Sequence, residues 1–109
     1  MSDQDPTEYF WRIGQAFLKR KGITRGKILG FPCLRYMSEF VAAPEHRNGA
    51  LIVKLPADRV AELVDQNKGE RFAPAGRPFK EWLCVTQRDA RFWKRLIDDA
   101  IDFAATKPG

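Results

Sequence analysis

The sequence predicts an α+β domain, with helices packed on a mainly antiparallel sheet in the order α-β(3)-α-β(2)-α. Three observations lead there. Apolar residues recur at helical spacing in three well-separated segments. Between them lie short stretches of β-branched and aromatic residues bounded by Gly, Pro and Asn, the pattern of strands. Consecutive strands are joined by short links, which favours antiparallel neighbours, since a parallel pair needs a crossover of a dozen or more residues.

The first helix is announced by Asp5-Pro6-Thr7-Glu8, which offers an N-cap acid and a proline at the first helical position. Phe10, Ile13, Phe17 and Leu18 supply its apolar face. Gly22 is its expected left-handed end, with Lys19, Arg20 and Lys21 placed where a helix C-terminus favours cations. A first strand then covers Lys27–Gly30 and Cys33–Tyr36, with Pro32 marking an edge or a bulge. Glu39–Ala42 is a second strand. Asn48-Gly49 signals a turn, and Ala50–Leu55 is a third strand with Leu51, Val53 and Leu55 on one face.

The second helix starts near Pro56, carries Val60, Leu63 and Val64 inward, and ends by Gly69. Arg71–Ala73 and Lys80–Val85 are the last two strands, separated by a Pro/Gly turn. Thr86-Gln87-Arg88-Asp89 resembles a capping box and opens the third helix, whose apolar stripe is Trp93, Leu96, Ile97, Ala100, Ile101 and Ala104. Lys107-Pro108-Gly109 closes it. No repeat or linker interrupts the order, so residues 1–109 read as a single domain. Its composition, 44% hydrophobic with 3 Trp and 8 Phe, is enough for a core of its own.

Chemistry is sparse. The chain holds a single histidine, His46, in a turn that reads as solvent-exposed. No second His or Cys stands at metal-ligand spacing, and no metal or cofactor is expected. Gly22-Ile23-Thr24-Arg25-Gly26-Lys27 falls short of a phosphate loop, because only three residues separate the glycines and Ile28 follows the lysine. Cys33 and Cys84 have apolar neighbours and read as buried structural thiols. Asp98, Asp99 and Asp102 fall opposite the third helix's apolar stripe and read as a solvated face. With no spanning run, an acidic polar N-terminus and only two cysteines, a cytoplasmic protein without membrane contact is expected.

The net charge of +5 is local. No acid occurs between Glu8 and Glu39, a stretch that carries Arg12, Lys19, Arg20, Lys21, Arg25, Lys27 and Arg35. The macrodipole accounts for Lys19–Lys21 but not for Arg25 or Lys27, which leaves an anionic contact open. The third helix inverts the dipole-favoured order, with Arg88, Arg91, Lys94 and Arg95 first and the three aspartates last. Pairs such as Lys94–Asp98 and Arg95–Asp99 are expected to recover part of that cost.

Phe72-Ala73-Pro74-Ala75-Gly76-Arg77-Pro78-Phe79-Lys80-Glu81-Trp82-Leu83-Cys84-Val85 resembles the F-x-P-x-G-R-P-x-K-x-W-x-x-V signature of the TfoX N-terminal domain family. Ile28–Leu34 is similar to that family's first strand, Leu51–Pro56 to its third strand and helix entry, and Ile101–Ala105 to its terminal helix. The MmcQ/YjbR family is a more distant likeness. The resemblance implies a secretion-chaperone-like fold, no established enzyme activity and no cofactor. Full-length regulators of this type carry a further C-terminal domain, so their competence role is not carried over. In physical terms Gly76 permits a left-handed turn, Pro78 withholds a donor before the strand, and Trp82 supplies large buried area. Arg77 and Lys80 either tie down carbonyls or line an anion site with Arg25 and Lys27.

The resulting expectation is a non-enzymatic module that binds a protein partner or a second copy of itself, in a regulatory setting. The alternative is nucleic-acid binding through Arg25, Lys27, Arg77 and Lys80, with Lys19, Arg20 and Lys21 alongside.

Overall fold

The structure, a computed structural model, describes residues 5–28, 30–73 and 76–106. Its elements run α1 (Glu8–Phe17), β1 (Ile23–Ile28), β2 (Phe31–Tyr36), β3 (Glu39–Pro44), β4 (Leu51–Lys54), α2 (Ala57–Asp65), β5 (Glu70–Arg71), β6 (Trp82–Val85) and α3 (Ala90–Ala105). The six strands form one antiparallel sheet in the order β1-β2-β3-β4-β6-β5. The α+β class stands, but four strands rather than three precede α2. The expected interrupted first strand is a hairpin: Ile28 pairs with Phe31, and Gly30 turns at φ 84°. Pro32 lies opposite Lys27, beyond the β2–β3 ladder that begins at Leu34, so its missing N–H interrupts no bond of that ladder. Leu29, Pro74, Ala75 and the Lys107–Gly109 terminus lie outside the described residues.

Two helix starts also differ from expectation. Thr7, not Asp5, is the N-cap of α1; Asp5 accepts from the Thr7 amide at 3.0 Å and its hydroxyl at 2.8 Å, in a turn ahead of the helix. At α3 the cap is Asp89, accepting from the Phe92 amide at 3.1 Å, and not Thr86. Asp89 itself is extended, and the Trp93 indole N–H donates to the Gln87 carbonyl at 2.9 Å. Helix α1 ends at Phe17, so Lys19, Arg20 and Lys21 lie in the turn that follows it, before Gly22 at φ 88°.

All three helices cover one face of the sheet. Phe10, Ile13 and Phe17 of α1, Val60 and Leu63 of α2 and the entire predicted α3 stripe pack there against Leu34, Leu51, Val53, Leu83 and Val85. Two aspartates of α3 meet cations of neighbouring elements. Asp98 pairs with Arg20 beyond α1, and Asp99 lies 3.5 Å from Arg59 of α2. Among the described residues Asp98 and Asp99 thus meet cations of other elements, not the expected Lys94 and Arg95 of their own helix.

A bulge in β3 decides the other face. Leu34 pairs with Ala42 and Arg35 with Phe40, leaving Val41 as the extra residue. Val41 and Ala42 both turn to the helices, while Phe40 and Ala43 both turn away. An unbroken strand would alternate strictly; the bulge re-aims the side chains on either side of it.

Candidate functional site

Among the described residues no helix covers the second face. Its centre is a small cluster of Cys33, Phe40, Ala43 and Ile52, with Ile28, Phe72 and Trp82 packed around it. Above it opens a hollow of about 540 Å³, lined among others by Phe31, Phe40, Ile52, Phe72, Trp82 and Cys84.

Two loops wall the hollow. The first is the β5–β6 connection. The Phe72 amide donates to the Trp82 carbonyl at 2.9 Å, and the Phe79 amide to the Phe72 carbonyl at 2.9 Å. These bonds hold three rings together, and a fourth packs on them: Phe72 and Trp82 stack at 5.7 Å, Phe79 meets Trp82 edge-on at 5.2 Å, and Phe40 stacks on Trp82 at 4.6 Å. Offset and edge-on contacts of this kind add stability beyond area burial. Trp82, expected to supply large buried area, is half-buried and lies on the helix-free face.

The second wall is the β3–β4 turn, organised by Glu45. Its carboxylate accepts from the amides of Arg47 at 2.7 Å and Asn48 at 3.2 Å, and lies 3.4 Å from the Arg47 side chain. This turn lays the exposed His46 ring parallel to Phe31 at 4.4 Å, at the rim of the hollow. Burial pushes the Glu45 carboxyl upward, but the two amides and the Arg47 charge outweigh it and hold its pKa below the usual value. A lowered folded-state pKa adds stability that is present above the unfolded value and lost as pH falls through the folded one. Stability measured by urea should therefore decline as pH drops below the ordinary glutamate range, about 4.3, and E45Q should flatten part of that slope. An unchanged slope in E45Q would remove Glu45 from this role.

Cys33 is buried and Cys84 half-buried in the floor. Burial raises the pKa of both thiols. The charges of Glu45 and Glu70 push Cys84 further up, whereas Arg35 pulls Cys33 partly back. Since the thiolate is the reactive form, iodoacetamide at neutral pH should label both more slowly in the folded chain than in urea. Rapid labelling of Cys84 in the folded chain would contradict the arrangement.

The predicted cations are divided. On β1, Arg25 and Lys27 lie opposite Leu34 and Pro32 and so share the helix side of the sheet. The Arg25 guanidinium stacks over Trp11 of α1 at 4.0 Å. Arg77 and Lys80 belong to the β5–β6 connection. β1 and β6 are four strand spacings apart, about 19 Å at about 4.8 Å each. Arg20 is engaged by Asp98 and lies over the Phe17 ring at 4.7 Å, while Lys19 and Lys21 are exposed. The seven cations thus do not form one cluster.

Sequence reasoning missed Phe31, Phe40 and Phe72 as members of one surface. A signal for it existed. Leu51-Ile52-Val53 is apolar at consecutive positions, the mark of a strand with apolar cover on both faces. Among the described residues no group of His, Cys, Asp and Glu could hold a metal ion, and no helix is long and apolar enough to cross a membrane. No protein-family model, no curated protein and no solved structure matches the chain.

Proposed function

We propose that the chain is a non-enzymatic module of a cytoplasmic, regulatory setting that binds a protein partner on the helix-free face of its sheet. The observation that carries this reading is the hollow with its rim of exposed rings. Phe31 is 41% exposed and Phe79 36% exposed, both beside it. An aromatic centre surrounded by Glu45, Arg47, Glu70 and Arg71 has the composition of a protein-binding patch, apolar in the middle and charged at the rim. The resemblance to the TfoX N-terminal domain family supports the regulatory setting, and the two free cysteines support a reducing compartment.

The reading is tested by placing a photo-crosslinking side chain at Ala73 beside the hollow and, as a control, at Glu62 on α2. A partner captured from Ala73 and not from Glu62, and lost in F31S/F79S with unchanged circular dichroism, is the expected result. Equal capture from both positions, or capture that survives the double substitution, would overturn it. Capture of a second copy would replace a partner with self-association. The nucleic-acid alternative has less support, because Arg25 and Lys27 lie on the helix side of the sheet, whereas Arg77 and Lys80 belong to the connection that walls the helix-free face.

A further inference from the structure

We infer that the outer edge of β1 accepts an added strand from an extended, acidic segment of a partner protein, with acids at alternate positions meeting Arg25 and Lys27. This surface is separate from the helix-free face and does not depend on it.

The edge is open. The Met37 amide donates to the Gly22 carbonyl at 2.8 Å, which sets the phase of the β1–β2 ladder. Hydrogen-bonded pairs alternate along an antiparallel ladder, so Thr24, Gly26 and Ile28 direct their amides and carbonyls to β2. Those of Ile23, Arg25 and Lys27 point outward. The Ile23 amide is used by the Arg20 carbonyl, and the Lys27 carbonyl accepts from Arg35 at 2.9 Å. The Arg25 amide and carbonyl and the Lys27 amide have no partner among the described residues. β1 is six residues long, whereas the opposite edge, β5, has two.

The edge is also selective. Residues opposed in an antiparallel pair share a face, so the registers that would join most of β1 to a second copy set Arg25 against its own copy or against Lys27. Like charges in opposition destabilise a pairing, so the edge rejects itself, a common protection of sheet edges. The same two cations, adjacent on one face with no acid between Glu8 and Glu39, complement a strand bearing acids two residues apart. Backbone bonding would supply affinity and the cations would supply choice of partner, as in other strand additions. Arg35, whose Cδ passes 2.6 Å from where a Gly26 side chain would begin, would exchange its bond to Lys27 for one to the arriving strand.

The test titrates the full chain, labelled with nitrogen-15, with an acetylated hexapeptide alternating aspartate and valine at low ionic strength. The expected result is selective shifts and slowed exchange at the Arg25 and Lys27 amides. Methylating the peptide nitrogens that face β1 should weaken binding at least about tenfold. R25E/K27E should lose the acidic peptide and take a lysine–valine peptide instead, and R25Q/K27Q should bind neither well while staying folded by circular dichroism. Equal binding of the methylated peptide would overturn the proposal, because charge alone would then explain it. Tighter binding of oligothymidylate at the same amides would do so in favour of nucleic acid. So would the absence of shifts at millimolar peptide.

Discussion

Replacing Trp93 with alanine is expected to lower the unfolding free energy by about 3–5 kcal/mol. That would leave a domain whose whole stability is on the order of 5–15 kcal/mol close to unfolding at room temperature. Trp93 is fully buried and heads the large side chains of the core. Its ring meets Tyr9 of α1 edge-on at 5.0 Å, and its N–H satisfies the Gln87 carbonyl ahead of α3. One side chain therefore joins the first helix, the last helix and the strand exit before it. W93F should be milder. It keeps most of the apolar contact but loses the bond to the carbonyl of the exposed Gln87, a loss of about 0.5–1.5 kcal/mol. Urea unfolding followed by far-ultraviolet circular dichroism measures both. A cost for W93A under about 1 kcal/mol would show that this packing is not what holds α1 to α3. W82A provides the contrast. That ring is half-buried on the helix-free face, so its loss should reduce partner binding more than stability.

The difference between these two tryptophans shows where local pattern stops informing. The α3 stripe was legible because helical periodicity is a local property: every residue named from Trp93 to Ala104 is buried. Trp82 was legible as a large apolar side chain in a strand, but not as a side chain on the uncovered face. Its side is set by its pairing with Lys54 and by a bulge two strands away at Val41, and neither is visible in the neighbouring sequence.

β1 was hidden for the opposite reason. Ile23-Thr24-Arg25-Gly26-Lys27-Ile28 has charges and a glycine where a central strand would have apolar residues. An edge strand can tolerate them because half of its backbone needs no neighbour. The charge order of α3 became intelligible only in three dimensions, since Arg20 and Asp98 are 78 positions apart in the chain. The candidate cations were legible as residues, but their grouping was not. Arg25 and Lys27 are neighbours on one strand, whereas Arg77 and Lys80 belong to the β5–β6 connection on the other side of the sheet.

The second large effect is expected at Gly49. Gly49 and Gly30 both have left-handed backbones, φ 76° and φ 84°, and both close turns between strands. A side chain at either position meets the left-handed penalty, roughly 1–2 kcal/mol. At Gly30 nothing else lies within 4 Å, so G30A should cost only that. At Gly49 the new carbon would collide with the Pro6 carbonyl, which also accepts from Arg88 at 3.3 Å. Backbone cannot swing aside as a side-chain tip can. G49A must therefore displace the segment before α1, and its total cost should reach about 3 kcal/mol or more, on the scale of an overpacked core. The excess of G49A over G30A then measures the docking of Pro6 on the β3–β4 turn. Deleting residues 1–6 removes the obstacle, so in the shortened chain the two substitutions should cost the same. Residues in contact are non-additive, and such a cycle isolates their coupling. An excess that persists after the deletion would place the strain within the Glu45–Ala50 turn itself, and would show that the segment before α1 does not rest on Gly49.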